Sequence, residues 1–185
     1  TLFAVLGMMV FLTANDLILL IFGAKWDEAI PLLQVLACTV AIGNTAMYAT
    51  TALVAVNRSQ LTIKAEVLTT VLALALVYGF GSVYGGMAAA IALLARMLII
   101  TPLQIRGLNA AIGYGWQRFF DSNYRSVTAS LVMAATVSYA SAQSGLQGYL
   151  HLIGNVVIGA LSYAVTYSVM HPRWPQEFKS VFTSR

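Results

Sequence analysis

The chain has 185 residues, of which 59% are hydrophobic and 9% are charged, with a formal net charge of +4. Soluble domains carry about 25% charged residues, so ten basic and six acidic side chains cannot cover a water-soluble globule of this size. With a mean hydropathy of +0.81, the composition predicts an integral membrane protein, and its positive charge reads as membrane topology rather than as affinity for nucleic acid.

The single cysteine, Cys38, excludes an internal disulfide and a cysteine-built metal centre, and reads as a small buried apolar residue. No basic region precedes the apolar residues 1–13, so the start does not read as a signal peptide. Thr1 already stands inside an apolar run, and the expectation is a piece cut within a helix.

A membrane-spanning helix needs about 20 predominantly apolar residues. Six segments qualify, at roughly 1–22, 29–54, 62–80, 84–105, 124–142 and 149–170. A transmembrane barrel would show alternating segments of about 10 residues, which runs such as VLTTVLALALVYGF at 67–80 do not. The expected fold class is therefore all-α, a polytopic transmembrane helical bundle.

The first segment is interrupted by Asn15 and Asp16. Residues 1–14 read as the tail of a longer helix, with either side chain capping a short interfacial turn through Phe22. The knot from Gly23 to Glu28 reads as a tight turn between spans. Gly23 ends one helix, Trp26 anchors in the headgroups, and Asp27 and Glu28 favour the next helix N-terminus. Pro31 suits a first helical turn.

In the second segment, Gln34, Asn44, Thr45, Thr50 and Thr51 add polarity, and Asn44, Tyr48 and Thr51 are expected to share one face. That face suits either a hydrated cavity or ordinary interhelical hydrogen bonds. Lys64 and Glu66 open the third segment and are expected at the solvated interface. In GFGSVYGGMAAAIALLAR, residues 79–96, two small-residue faces (Gly85, Ala89, Ala92, and Gly86, Ala90, Leu94) predict close helix packing. Arg96 sits about two-thirds along the fourth segment. It either snorkels to the headgroups or lines a polar cavity.

Bases distribute unevenly between the connections. Arg58 and Lys64, then Arg106, Arg118 and Arg125, then Arg173, Lys179 and Arg185 fall on one side; Lys25 stands alone on the other. The positive-inside rule places the larger group, and the C-terminal tail, in the cytoplasm. Trp26, Trp116 and Trp174 all lie in connections or just beyond a span, as interfacial anchors do. No catalytic constellation, cofactor motif or metal site is legible. His151 and His171 stand at opposite ends of the last span, about 30 Å apart by helical rise, and cannot share a metal. The chain is not expected to be an enzyme.

The stretch LIFGAKWDEAIPLLQVLA, residues 20–37, resembles a signature of the polysaccharide-exporter, oligosaccharide-flippase branch of the multidrug/oligosaccharidyl-lipid/polysaccharide flippase superfamily. The matching positions are Phe22, Gly23, Trp26, Ala29, Pro31, Leu33, Gln34, Leu36 and Ala37. ALVAVNRSQLTIKAEV, GSVYGGMAAAIALLAR and RSVTASLVMAA resemble later family segments in the same order. The resemblance implies a two-lobed fold that moves lipid-linked sugars by alternating access. Residues 1–105 would supply the last four helices of the second lobe, 106–123 a cytoplasmic loop, 124–170 an extra helix pair and 171–185 a cytoplasmic tail. The implied partners are a lipid-linked sugar substrate, membrane lipids and an N-terminal lobe of the same protein, with no cofactor. The implied setting is a bacterial inner membrane and the synthesis of exopolysaccharide, capsule or O-antigen. A drug or peptidoglycan-precursor exporter of the superfamily, and a non-transporting membrane scaffold, are the alternatives. Arg96 is the one candidate substrate-binding residue, chosen for its position and cost in a span rather than for a family motif.

Overall fold

A computed structural model describes residues 2–143 and 148–170, apart from the side chains at 2, 44–46 and 122. Six helices follow one another: α1 (Leu2–Ile21), α2 (Ala29–Ala55), α3 (Ser59–Tyr84), α4 (Gly86–Ile112), α5 (Trp116–Gln143) and α6 (Tyr149–Met170), with one 3-10 turn at Ala24–Trp26. No strand occurs among the described residues. Each apolar segment read from the sequence falls within one helix.

Five helices, α1 to α4 and α6, are long and apolar enough to cross a membrane. The sixth, α5, has the length at 28 residues but opens on a polar third carrying Arg118, Asp121 and Arg125. Residues 106–123, expected as a connection, are helical except at 113–115, because α4 and α5 both run on past their apolar segments. The connections are short, as between antiparallel neighbours. At the tightest, one residue, Gly85, separates α3 from α4, and its φ of 53° lies where only glycine is unstrained. The tail 171–185, with Trp174 and His171, lies outside the described residues.

Helix α1 packs on α2, α2 on α4, and α4 on α3; the α5–α6 hairpin packs on itself and docks on α1. Much of the buried core is alanine, including Ala14, Ala37, Ala88, Ala90, Ala92 and Ala129. Without long side chains to interlock, such helices gain stability from close backbone approach, as membrane helices do. The outward faces are apolar in turn: Ile63, Val67, Leu68, Val71 and Leu74 of α3 are all exposed, a surface suited to lipid. Threonines within the helices are made compatible with that medium locally. The hydroxyls of Thr13, Thr39, Thr69, Thr101 and Thr136 each donate to a carbonyl one turn back. Pro102 inside α4 leaves the carbonyl of Leu98 without its helical donor, a defect that membrane helices tolerate.

Two local expectations are corrected. Helix α1 runs unbroken through Asn15 and Asp16, so neither caps a turn; Asp16 is held by a partner on another helix. And although Ala90 and Ala92 are buried as the small-residue pattern implies, Gly86 makes no close contact. A Cβ there would come no nearer than 3.9 Å to Leu32, whereas one on Gly7 would meet the Ala37 carbonyl oxygen at 2.7 Å and the Ala41 Cβ at 2.9 Å. Gly7 is thus a point of close approach between α1 and α2. The interfacial turn matches its reading: Trp26 is exposed and sits on Phe22 with ring centroids 5.9 Å apart, and the Glu28 N–H donates to the Asp27 carboxylate at 2.8 Å.

Gly7→Leu is expected to destabilise the protein by about 1–3 kcal/mol through overpacking, and Leu74→Phe, on the lipid-facing side of α3, by little. Thermal unfolding in detergent measures both; equal midpoints for the two variants would remove the α1–α2 contact from the description.

Candidate functional site

Arg96 lies ten residues into the 27-residue α4. At 1.5 Å per residue that is about 15 Å from the start of a helix about 40 Å long. It is therefore nearer the start of its helix than the two-thirds point expected from the segment 84–105, because α4 continues to Ile112. Its guanidinium does not run along the helix to a terminus. Nη2 donates to Oε2 of Glu66 on α3, forming an ion pair between the two helices. Glu66 keeps about a third of its side chain exposed beside this ion pair, and Lys64 is exposed. Either charge alone inside an apolar span costs several kcal/mol, and pairing lowers that cost for both.

The pair forms part of the wall of a cavity of about 280 Å³ between α2, α3 and α4. Gly43, Met47, Thr50 and Thr51 line it from α2, Glu66 from α3, and Arg96, Met97 and Ile100 from α4. Gly43 brings the helices close: a Cβ there would stand 3.2 Å from the Met97 sulfur. Just beyond, buried Gln104 donates through Nε2 to Thr50 Oγ1 at 2.7 Å. Two buried polar atoms here have no protein partner, Arg96 Nε and Gln104 Oε1. A guanidinium has five N–H donors and no acceptor, so Arg96 retains donor capacity beside threonine hydroxyls in a partly enclosed space. That chemistry suits an anion, or water held in reserve for one.

A second, larger cleft of about 560 Å³ opens between α1, α2, α4 and α5, with Ala4, Ala52, Ile105, Leu108, Phe119 and Val127 giving it a mostly apolar wall. Tyr48 lines this cleft while Thr51 lines the Arg96 cavity. The shared face expected for Asn44, Tyr48 and Thr51 is therefore split between two sides of α2, with the Asn44 side chain outside the described residues.

A third locus was not anticipated. His151 Nδ1 lies 2.8 Å from Asp16 Oδ2, and His151 Nε2 lies 2.8 Å from Ser141 Oγ, joining α6 to α1 and α5. Asn155 Nδ2 approaches the same ring at 3.3 Å. The sequence did hold a signal. Asp16 is the one acid in α1 and His151 the one histidine in α6, both sit near helix ends, and helix alternation puts those ends on the same side. The order Asp–His–Ser matches the hydrogen-bond order of an acyl-transfer triad. Such a triad also requires backbone donors for an oxyanion, and Ser141 sits inside α5, where backbone N–H groups serve the helix.

Compared with protein-family models, curated proteins and solved structures, the chain finds no match. The functional reading therefore rests on the residues themselves.

Removing one partner of this half-buried ion pair leaves the other without its counter-charge inside an apolar span, whereas replacing both removes both charges. Arg96→Leu is accordingly expected to lower thermal stability in detergent more than the double variant Arg96→Leu/Glu66→Leu. A double variant as unstable as the sum of its singles would show that the two side chains act independently.

Proposed function

We propose that this chain is the C-terminal part of a flippase for lipid-linked oligosaccharides, working in a bacterial inner membrane in the synthesis of exopolysaccharide, capsule or O-antigen. The observation that carries the reading is Arg96: a guanidinium within an apolar helix long enough to span a membrane, lining a cavity with donors to spare. Such a charge marks a path for an oppositely charged group more often than it serves packing. A lipid-linked sugar carries phosphate, and a desolvated guanidinium binds phosphate through two parallel hydrogen bonds. The segment from Leu20 to Ala37 supports the same reading through its resemblance to the flippase branch.

In this mechanism Glu66 occupies the Arg96 fork while the passage is empty, and the substrate phosphate takes its place. Thr50 of α2 lines the same cavity, and its hydroxyl, which accepts from Gln104, keeps a proton to donate. The chain contributes one wall of the passage, from α2 to α4, and a second lobe supplies the other. Alternation of access rocks one against the other. The base-rich helix ends and the C-terminal tail face the cytoplasm, and Lys25 faces outward.

Two experiments test this. Single cysteines at Lys25 and Arg118, in a Cys38→Ala background, are expected to react with an impermeant thiol reagent from opposite sides of the membrane; labelling from one side overturns the orientation. In the full-length protein, Arg96→Ala is expected to abolish export of the polymer at normal membrane abundance, and Arg96→Lys, which keeps the charge and loses the fork, to retain part of it. Undiminished export with Arg96→Ala removes the substrate-binding role. A scaffold role predicts the reverse pattern, with abundance lowered and export per molecule unchanged.

A further inference from the structure

The seam between α1 and the α5–α6 hairpin is close at Gly159, where a Cβ would run into Met9 of α1 and stand 3.2 Å from Val137 Cγ2 of α5. At one end of it stands the knot of Asp16, His151, Ser141 and Asn155. We propose that this knot is a pH-sensitive latch: protonation of His151 tightens the docking of the hairpin on α1, and deprotonation loosens it. The proposal is independent of the transport reading.

The first support is position. Helix α1 is the main docking surface of the hairpin, and Asp16–His151 is the one ion pair on that seam among the described residues. The second is the hydrogen-bond inventory. An ionised carboxylate only accepts, so the Nδ1 facing Asp16 carries a proton in either state of the ring. With the ring neutral, Nε2 accepts from the Ser141 hydroxyl. With the ring protonated, Nε2–H donates to the Ser141 oxygen, and the Asn155 amide can turn its oxygen toward the ring. The connections therefore survive a change of protonation, and what changes is the charge. Protonation adds the positive charge of the ring to a bond whose acceptor is already ionised, and turns it into an ion pair.

The third support is the shortage of competing groups. Asp16 is the one ionisable side chain of α1; α5 beyond Ser126 carries only Tyr139; α6 carries Tyr149, Tyr163 and Tyr167 besides His151. Tyr139 and Tyr149 are exposed, and Tyr163 and Tyr167 lie about 18 Å or more along α6. Lys25, Asp27 and Glu28, in the connection at the same end, are exposed as well. An imidazole ordinarily changes charge between about pH 5 and 8, a range over which a carboxylate ordinarily stays ionised. Protonation of the ring makes the contact a charged pair, and loss of that proton returns it to an imidazole N–H donating to the carboxylate. The opposite half of α5 forms one wall of the 560 Å³ cleft, so a hairpin released at the latch is free to tilt and alter the cleft.

The test places nitroxide labels on Leu19→Cys in α1 and Ile153→Cys in α6, both exposed positions one turn or less from the knot, in full-length Cys38→Ala protein in lipid nanodiscs. Electron-spin distance distributions are recorded at pH 5.5 and 8.5. The expected result is a short distance at the lower pH and a larger population of long distances at the upper one. His151→Gln and Asp16→Asn should each abolish the pH response, and Ser141→Ala should keep it. Identical wild-type distributions at the two pH values overturn the latch, whatever the variants do. A pH response that persists in His151→Gln, or in Asp16→Asn should His151→Gln fail to accumulate, assigns it to another group and equally overturns the proposal.

Discussion

An arginine in the middle of an apolar helix has to find a partner within reach of its own side chain. In this protein that partner is Glu66, and the requirement organises the helices around it. Helix α3 must lie against α4 closely enough for the pair to form, which the single-residue turn at Gly85 ensures. Helix α2 must bring small and hydroxyl-bearing residues to the same level, which Gly43, Thr50 and Thr51 do. The remaining polarity in these helices is consumed locally, by threonines bonding back to their own carbonyls. Arg96 and Glu66 are the charges left in the space between helices.

The same economy governs the α5–α6 hairpin. It meets α1 through small side chains and one polar knot, and where it diverges from α2 and α4 a cleft remains. Alanine cores permit this arrangement because they let backbones approach without demanding interlocked side chains. Interfaces of that kind slide and tilt more readily than ones keyed by large residues, so polar knots carry a larger share of the specificity.

The helices themselves were legible in the sequence because the bilayer length sets the scale of the pattern, and five of the six are long and apolar enough to match it. Their ends were less so. Helices α4 and α5 extend through polar residues from Arg106 to Asn123, where hydropathy falls but helical propensity does not. Arg96 was legible as a residue of consequence because a lone charge in an apolar run stands out in one dimension. Its pairing with Glu66 was not, since the two are 30 residues apart and proximity to a helix start gave Glu66 an adequate solvated alternative. Gly86 misled for a related reason: a small-residue spacing shows that approach is permitted, and only the neighbouring helix decides whether it happens. The knot at His151 joins residues 135 positions apart, and no local pattern encodes such a meeting.

That separation has a consequence for the order in which the protein is made. Asp16 is synthesised in α1, and the histidine that pairs with it follows 135 residues later. At ribosomal rates of about 5–20 residues per second, the carboxylate waits on the order of ten seconds for its partner. Its place near the end of α1 lets it reach headgroup water in the meantime. Helix α1 therefore enters the bilayer with one flank ready for α2 and the other held open. A helix made late completes the environment of one made early.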